Sequence, residues 1–214
     1  MCAKYNKPVM IHLSDSIGRF YPISPSNERY EAGLWHGSGD EGNYYKNGSP
    51  SHERIEKARE NMHARHPRTI FVNAHLAMLY YDPAKVAVLL DTYPNAMVET
   101  SATVQDLGRA PRFWRDFIIK YQDRILFGTD GNPRMDPDTF WLPHFRFFET
   151  FDEYFEHPAQ IRLAGGSPGH GRWNISGIGL PDQVLRKVYY QNALKYLPSL
   201  RDSLNRLLAA RGLQ

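Results

Sequence analysis

The chain has almost no cysteine, because Cys2 is the only one in 214 residues. One cysteine excludes an internal disulfide framework and a thiolate zinc knuckle. Long hydrophobic runs are also missing, since no apolar stretch approaches the roughly 20 residues needed to span a bilayer. The first residues do not form a signal peptide. Provided that the chain begins where its gene does, we therefore expect a cytoplasmic protein without membrane contact.

Strong charge of one sign is also lacking. The 26 basic residues outnumber the 23 acidic ones by only three, and the two kinds are interspersed, so we expect no nucleic-acid partner. The composition is that of an ordinary globular protein, and the length predicts one domain spanning residues 1–214. The aromatic content of 13 % fits an aromatic-lined pocket or simply a large core.

What the sequence does contain is a repeated pattern of short apolar runs that end in polar residues. Parallel strands of an α/β protein bring their C-terminal ends to one face, where sites are usually built. The pattern therefore predicts four such strands whose last residues converge. The runs are Pro8–His12, Thr69–His75, Ala96–Ser101 and Arg124–Asp130.

Helical segments follow these runs with a period of roughly 30 residues, the size of a βαβ unit. Four units make half of an eight-stranded (β/α)₈ barrel, and two long insertions leave no room for four more strands. We therefore predict an α/β fold that is a partial TIM barrel with long inserted loops. The predicted helices are His52–Arg65 with Ser51 as N-cap, Asp82–Thr92, Gln105–Tyr121, Phe140–Phe155, Pro181–Leu197 and Leu200–Leu208. Of the loops, we predict that Ser14–Ser51 forms a lid over the active site and that Gly165–Gly171 forms a flexible turn.

Three polar residues at the strand ends are the candidate site. His12 and His75 could bind zinc through one ring nitrogen while a second group orients the other, or could be core or turn histidines. Asp130 could contribute a carboxylate or merely cap a turn. Their shared position in repeated units favours a joint site. His63 and His66 are spaced to hold a metal on a helix, but a solvated helix end is the preferred interpretation.

The sequence resembles the amidohydrolase superfamily, and within it the aminocarboxymuconate-semialdehyde decarboxylase-like branch. The resemblance rests on Pro8-Val-Met-Ile-His12, Asn73-Ala-His-Leu76, Glu99-Thr-Ser-Ala102, Tyr190-Gln-Asn-Ala193 and above all Asp123-Arg-Ile-Leu-Phe-Gly-Thr-Asp130. It implies a TIM barrel with a divalent metal at its mouth. By resemblance His12 is the strand-five metal ligand, His75 the strand-six ligand or proton-transfer residue, and Asp130 the strand-eight aspartate that contacts metal and water.

One departure from the family pattern is the absence of a His-x-His pair. That pair supplies two metal ligands on the family's first strand, so the chain resembles the C-terminal half, strands five to eight. The expected function is a metal-dependent hydrolase acting on a C–N or C–O carbonyl bond, with zinc, or alternatively manganese or iron. A non-oxidative decarboxylase and an inactive truncated fragment are the alternatives.

Residues of the long loops are candidates for binding a small-molecule substrate. We predict substrate contacts for Trp35, Trp141 and Arg109. Tyr44, Tyr45 and Phe145 could also line the pocket, with ordinary packing as the alternative. A homo-oligomer is compatible with the sequence.

Overall fold

The computed structural model describes residues 2–30, 44–45, 48–157 and 173–212. Its central feature is a four-stranded parallel sheet in the order β1-β2-β3-β4, so neighbours in the chain are neighbours in the sheet. The strands are β1 (Val9–Ile11), β2 (Phe71–Asn73), β3 (Ala96–Glu99) and β4 (Ile125–Leu126). All four apolar runs are therefore confirmed as parallel strands, each shorter than its run.

The helices follow the strands as predicted, and the first two long helices each begin with a side chain that caps the N-terminus. Ser51 accepts a hydrogen bond from the Arg54 amide and begins the first helix. Asp82 accepts one from the Ala84 amide and begins the second; such side-chain oxygens satisfy amides that lack a helical partner. The α-helices are α1 (His52–Arg65), α2 (Pro83–Thr92), α3 (Val104–Leu107), α4 (Pro111–Lys120), α5 (Leu142–Glu149), α6 (Asp182–Arg186), α7 (Asn192–Leu194) and α8 (Pro198–Ala210). Wide π-helical turns lie at Pro137–Trp141 and Lys187–Gln191, and 3₁₀ turns lie at Cys2–Tyr5 and Ile17–Phe20.

Two predicted helices differ from the structure. The segment Gln105–Tyr121 is divided between α3 and α4, because Gly108 is the C-cap of α3 and Pro111 starts a new helix at its first position. The segment Phe140–Phe155 stops being helical after Glu149, and Phe155 instead pairs with Ile175 in an isolated antiparallel bridge. The predicted turn at Gly165–Gly171 lies outside the described residues.

One face of the sheet packs against the helices. Ala96, Val98 and Ile125 belong to a single buried apolar cluster that also includes Val86, Leu89 and Leu90 of α2 and Trp114, Phe117 and Ile118 of α4. Burial of this kind is the main favourable term in folding. None of the helices within the described ranges is long and apolar enough to cross a membrane.

The opposite face of the sheet is covered unevenly. Met10, Val72 and Met97 are partners across the first three strands and therefore share a face. Val72 and Met97 are buried, whereas Met10 on β1 is 68 % exposed. Apolar surface is thus open to solvent on the same strand that leads directly to His12.

Candidate functional site

The two candidate histidines lie together at the ends of neighbouring strands. His12 directly follows β1, and His75 follows β2 by two residues. Their ring centroids are 4.9 Å apart and the rings are nearly perpendicular. Because β1 and β2 are parallel and paired, residues 63 positions apart in the sequence meet at one edge of the sheet. This part of the sequence prediction is supported by the geometry.

The hydrogen bonds of His75 define its tautomer. Its Nδ1 lies 2.8 Å from the Ser101 carbonyl oxygen and 3.1 Å from the Ser101 hydroxyl. A carbonyl can only accept, so Nδ1 carries the proton and donates it, which leaves the lone pair on Nε2. A backbone carbonyl holding the second ring nitrogen is the usual arrangement for a histidine that binds a metal or transfers a proton.

Glu99, the last residue of β3, is buried beneath this histidine. Its Oε1 accepts the His75 backbone N–H at 2.6 Å and the Ser101 hydroxyl at 2.6 Å, and its Oε2 accepts the Ser101 N–H at 2.8 Å. Gly128 makes room for the carboxylate, since a Cβ there would lie 2.1 Å from Oε2. Glu99 therefore holds the backbone of both His75 and Ser101, and this role was missed by the sequence analysis. The signal was present, because Glu99 is a polar residue at the end of a buried apolar strand, and the site histidines likewise follow the ends of strands.

The backbone at His75 adopts a conformation that L-residues avoid. His75, Leu76, Ala77 and Met78 have φ values of 54°, 51°, 61° and 57°, and none of them is glycine. The left-handed conformation costs roughly 1–2 kcal/mol per L-residue, so a run of this length needs compensation from its surroundings. Part of that compensation is burial, because Leu76 and Ala77 are 0 % and 4 % exposed.

Asp130 does not complete a metal site in the described structure. It lies four residues beyond the end of β4, with an exposed side chain and a φ of 58°. Within residues 2–30, 44–45, 48–157 and 173–212 no group of three or more His, Cys, Asp or Glu side chains could hold a metal ion. The three-ligand cluster of His12, His75 and Asp130 that the sequence predicts is therefore not assembled here, because the short β4 ends well before the aspartate.

The donor chemistry at His12 and His75 fits a divalent metal only in part. Two neutral imidazoles are suitable ligands for zinc, and the tautomer of His75 leaves one nitrogen able to bind. A catalytic zinc site normally uses three protein ligands and a water. The described residues supply two protein ligands, His12 and His75, so a complete zinc site requires a further ligand.

A cavity lined by His12 adjoins a second, larger cavity. The smaller has a volume of about 300 Å³ and is lined by His12, Asp15 and residues near them; the larger has about 450 Å³. Both are lined by Phe20, Tyr44, Ser49 and Pro50. The predicted pocket position of Tyr44 is thus supported, and Tyr45 lines the larger cavity. The Tyr44 hydroxyl donates to Asp15 at 2.5 Å, and this bond raises the pKa of Tyr44.

A polar cluster forms one wall of the larger cavity. The Glu56 carboxylate lies 2.8 Å from His52 Nδ1, 2.9 Å from the Tyr81 hydroxyl and 3.1 Å from Lys85 Nζ. Burial lowers the pKa of His52 and raises that of Tyr81 to about 12. Both side chains are therefore neutral near pH 7, and the cluster joins the start of α1 to the start of α2.

The predicted substrate contacts have different surroundings. Trp35 lies outside the described residues. Trp141 ends a π-helical turn and packs edge-to-face on Phe140. The Arg109 side chain forms an ion pair with Glu28 at 2.9 Å, and its guanidinium lies 4.3 Å from the centre of the Trp173 ring. These contacts are typical of a residue that links two loops structurally.

Phe145 is half-buried and packs against other aromatic rings. Its ring stacks on Phe127 at 5.7 Å and meets Tyr189 edge-to-face. Neither Trp141 nor Arg109 nor Phe145 is among the described residues that line the two cavities beside His12. Ordinary packing is the better description of Phe145, while substrate contacts for Trp141 and Arg109 stay predictions.

The helical pair His63 and His66 does not form a metal site. His63 is 0 % exposed and lies between the rings of Phe71 and Tyr93, at 5.0 and 5.4 Å. Neither of its ring nitrogens has a hydrogen-bond partner among the described residues, whereas His66 is exposed just after the helix end. Burial lowers the pKa of His63 to about 4, so it is a neutral core histidine.

A buried ion pair attaches the segment after β1 to the rest of the molecule. One Arg29 nitrogen, Nη2, lies 3.2 and 3.1 Å from the two Asp106 carboxylate oxygens and 3.2 Å from the Tyr80 hydroxyl. Burial raises the pKa of Asp106 to about 6, although Arg29 opposes the shift. The sequence could not have suggested this pair, because 77 positions separate the two residues.

Comparison with known proteins identifies the family. The amidohydrolase family model matches residues 1–198. No curated protein and no solved structure matches the chain at a significant level. The match covers 198 of the 214 residues and includes every strand and both histidines of the site. The chain therefore belongs to the amidohydrolase family.

Proposed function

We propose that the chain acts in metal-dependent hydrolysis, with His12 and His75 at the centre of the reaction site. The observation that carries this proposal is the contact between the two histidine rings at 4.9 Å, together with the Ser101 carbonyl on His75 Nδ1. Family membership supports the reaction class. The four parallel strands would correspond to strands five to eight of a TIM barrel, in one domain of the aminocarboxymuconate-semialdehyde decarboxylase-like branch.

Each polar group has a proposed role. His12 and His75 would bind the divalent metal, zinc first and manganese or iron as alternatives, with a further ligand that the described residues do not supply. When bound, such an ion supplies an acidified water and polarises a carbonyl. Because Ser101 holds the Nδ1 proton of His75, only Nε2 is available for a role; as the alternative to binding the metal, it would receive or deliver a proton near the developing oxyanion. Asp130, on an exposed turn, would accept the proton of the attacking water.

The test starts with metal content. We expect the purified chain, incubated with zinc, manganese or iron and then desalted, to retain at least half an equivalent of one metal. His12→Ala and His75→Ala should retain much less, whereas His66→Ala, which removes an exposed histidine, should retain the same amount. Retention below a tenth of an equivalent by the native chain would favour the inactive fragment.

The reaction is then identified in ¹⁸O-labelled water. A panel of small amides, lactones and esters should yield products that contain one water oxygen, and this yield should fall in His75→Ala and Asp130→Ala. Release of carbon dioxide from an enoic or aromatic acid, without incorporation of water oxygen into the organic product, would identify the decarboxylase instead.

A further inference from the structure

The left-handed turn after β2 determines where the His75 side chain points. Residues 75–78 all have positive φ. If any one of them changed to a negative φ, the backbone before and after it would run in a different direction. Burial alone does not select this conformation, because a right-handed turn could bury similar side chains. Contacts specific to this backbone path must therefore hold it.

The first such contact comes from Glu99 at the start of the turn. Its carboxylate accepts the His75 N–H at 2.6 Å and is 4 % exposed, so water does not compete for the bond. The same carboxylate binds Ser101 through its N–H and its hydroxyl. Glu99 therefore joins the His75 backbone to the residue whose carbonyl orients the His75 ring.

The second contact comes from Arg59 at the far end of the turn. Arg59 lies on α1, is 3 % exposed, and its Nη1 donates to the Ala77 carbonyl at 2.6 Å. This is the single hydrogen bond of its side chain within the described residues, and its Nε has no partner. Burying a guanidinium without a salt bridge is costly, and burial accordingly lowers the pKa of Arg59. A methionine would fill similar space without that cost, so stability alone does not explain the arginine.

We propose that Arg59 and Glu99 are positioning residues, which hold the left-handed turn from its two ends and thereby fix the His75 imidazole on the Ser101 carbonyl. Neither residue touches the reacting groups. Arg59 acts on the Ala77 carbonyl, and Glu99 acts on the backbone of His75 and Ser101. The consequence for catalysis depends on the proposed function of His75, but the positioning itself does not.

The test measures the tautomer of His75 by ¹⁵N NMR of histidine-labelled full chain, with the His75 signals assigned by their loss in His75→Gln. The native protein should show the proton on Nδ1. In Arg59→Met and in Glu99→Gln we expect the population of the Nε2-protonated form to rise about tenfold or more. Arg54→Met, an exposed arginine on the same helix, is the matched control and should leave the signals unchanged.

A rescue experiment shows whether Arg59 acts through the backbone of the turn. Glycine adopts positive φ as readily as negative φ, so Ala77→Gly removes part of the need for Arg59. The double variant Arg59→Met/Ala77→Gly should regain most of the native His75 signal, as should Arg59→Lys. Unchanged His75 signals in Arg59→Met and Glu99→Gln would overturn the proposal. A change in Arg59→Met that glycine does not reverse would overturn the role of the turn.

Activity measurements distinguish a failure of this proposal from a failure of the proposed function. If both hold, Arg59→Met should lower kcat about 10- to 100-fold, as loss of a group that orients a ligand does, with KM nearly unchanged. If His75→Ala retains full activity while the NMR result is as expected, then Arg59 and Glu99 position His75 and the proposed reaction is wrong.

Discussion

The neutral core histidine His63 makes the stability of the protein depend on pH in a defined way. Its ring is fully buried, and neither nitrogen has a hydrogen-bond partner in the part of the chain that the structure describes, so a proton on that ring would be a buried charge. Burial, together with a smaller effect of the nearby Arg59 charge, lowers the pKa of His63 from 6.5 to about 4. The unfolded chain takes up a proton near pH 6.5, whereas the folded protein does so only near pH 4.

The free energy of unfolding should therefore decrease as the pH falls from about 6.5 to about 4, and level off below that. One pKa unit corresponds to about 1.4 kcal/mol. Linkage applied to values of 6.5 and about 4 gives a loss of roughly 2–3 kcal/mol between pH 7 and pH 4.5. This is a large part of the 5–15 kcal/mol that stabilises a typical domain.

Urea denaturation at pH 7 and pH 4.5 measures this loss in the native chain and in His63→Leu. Leucine keeps the site apolar and removes the two unpartnered ring nitrogens, so the variant should lose roughly 2–3 kcal/mol less than the native chain. Asp106, whose pKa burial raises to about 6, stabilises the fold as the pH falls, but it is present in both proteins and cancels. His66→Leu, which removes an exposed histidine, should behave like the native chain.

An equal loss of free energy in the native chain and in His63→Leu would refute this reasoning. It would mean that the His63 ring is protonated in the folded protein as easily as in the unfolded chain. A polar contact or a water path to the ring would then have to exist in solution.

Three further predictions concern single contacts. Asp106→Ala removes the carboxylate that Arg29 contacts through both oxygens and should cost about 3–5 kcal/mol of unfolding free energy in urea denaturation; adding Arg29→Met should recover part of it. Gly128→Ala would place a Cβ 2.1 Å from Glu99 Oε2, and overpacking of about 1–3 kcal/mol should lower the thermal midpoint; an unchanged midpoint would contradict the close contact. Ser51→Ala removes the N-cap of α1 and should cost about 1 kcal/mol, which the same urea assay would detect.

The order and type of the main elements could be predicted from local patterns. Short apolar runs and capped helical segments are properties of neighbouring residues, which is why β1 to β4, α1 and α2 lie where the sequence places them. The break between α3 and α4 was missed although its signal, Gly108 and Pro111, is local. The extended stretch after α5 depends on the bridge between Phe155 and Ile175, whose partner no local pattern indicates.

For the site, the sequence placed His12 and His75 correctly at one edge of the sheet, because parallel strands bring their ends together. It did not reveal that Asp130 lies apart from them. The distance depends on how early β4 ends and on the positive φ of Asp130, neither of which the alternation of apolar and polar residues encodes. Whether Asp130 takes the proton of the attacking water stays a prediction.

The sequence by itself determined the α/β alternation, the membership of the amidohydrolase family and the two histidines that end adjacent strands, since all of these are written in residues close together in the chain. Only the tertiary structure decided how His75 is held. The bond from Glu99 spans 24 positions and that from Arg59 spans 18. They stabilise a left-handed turn that the local sequence, which contains no glycine there, would disfavour. Distant contacts of this kind outweigh local preference because burial strengthens each hydrogen bond that they contribute.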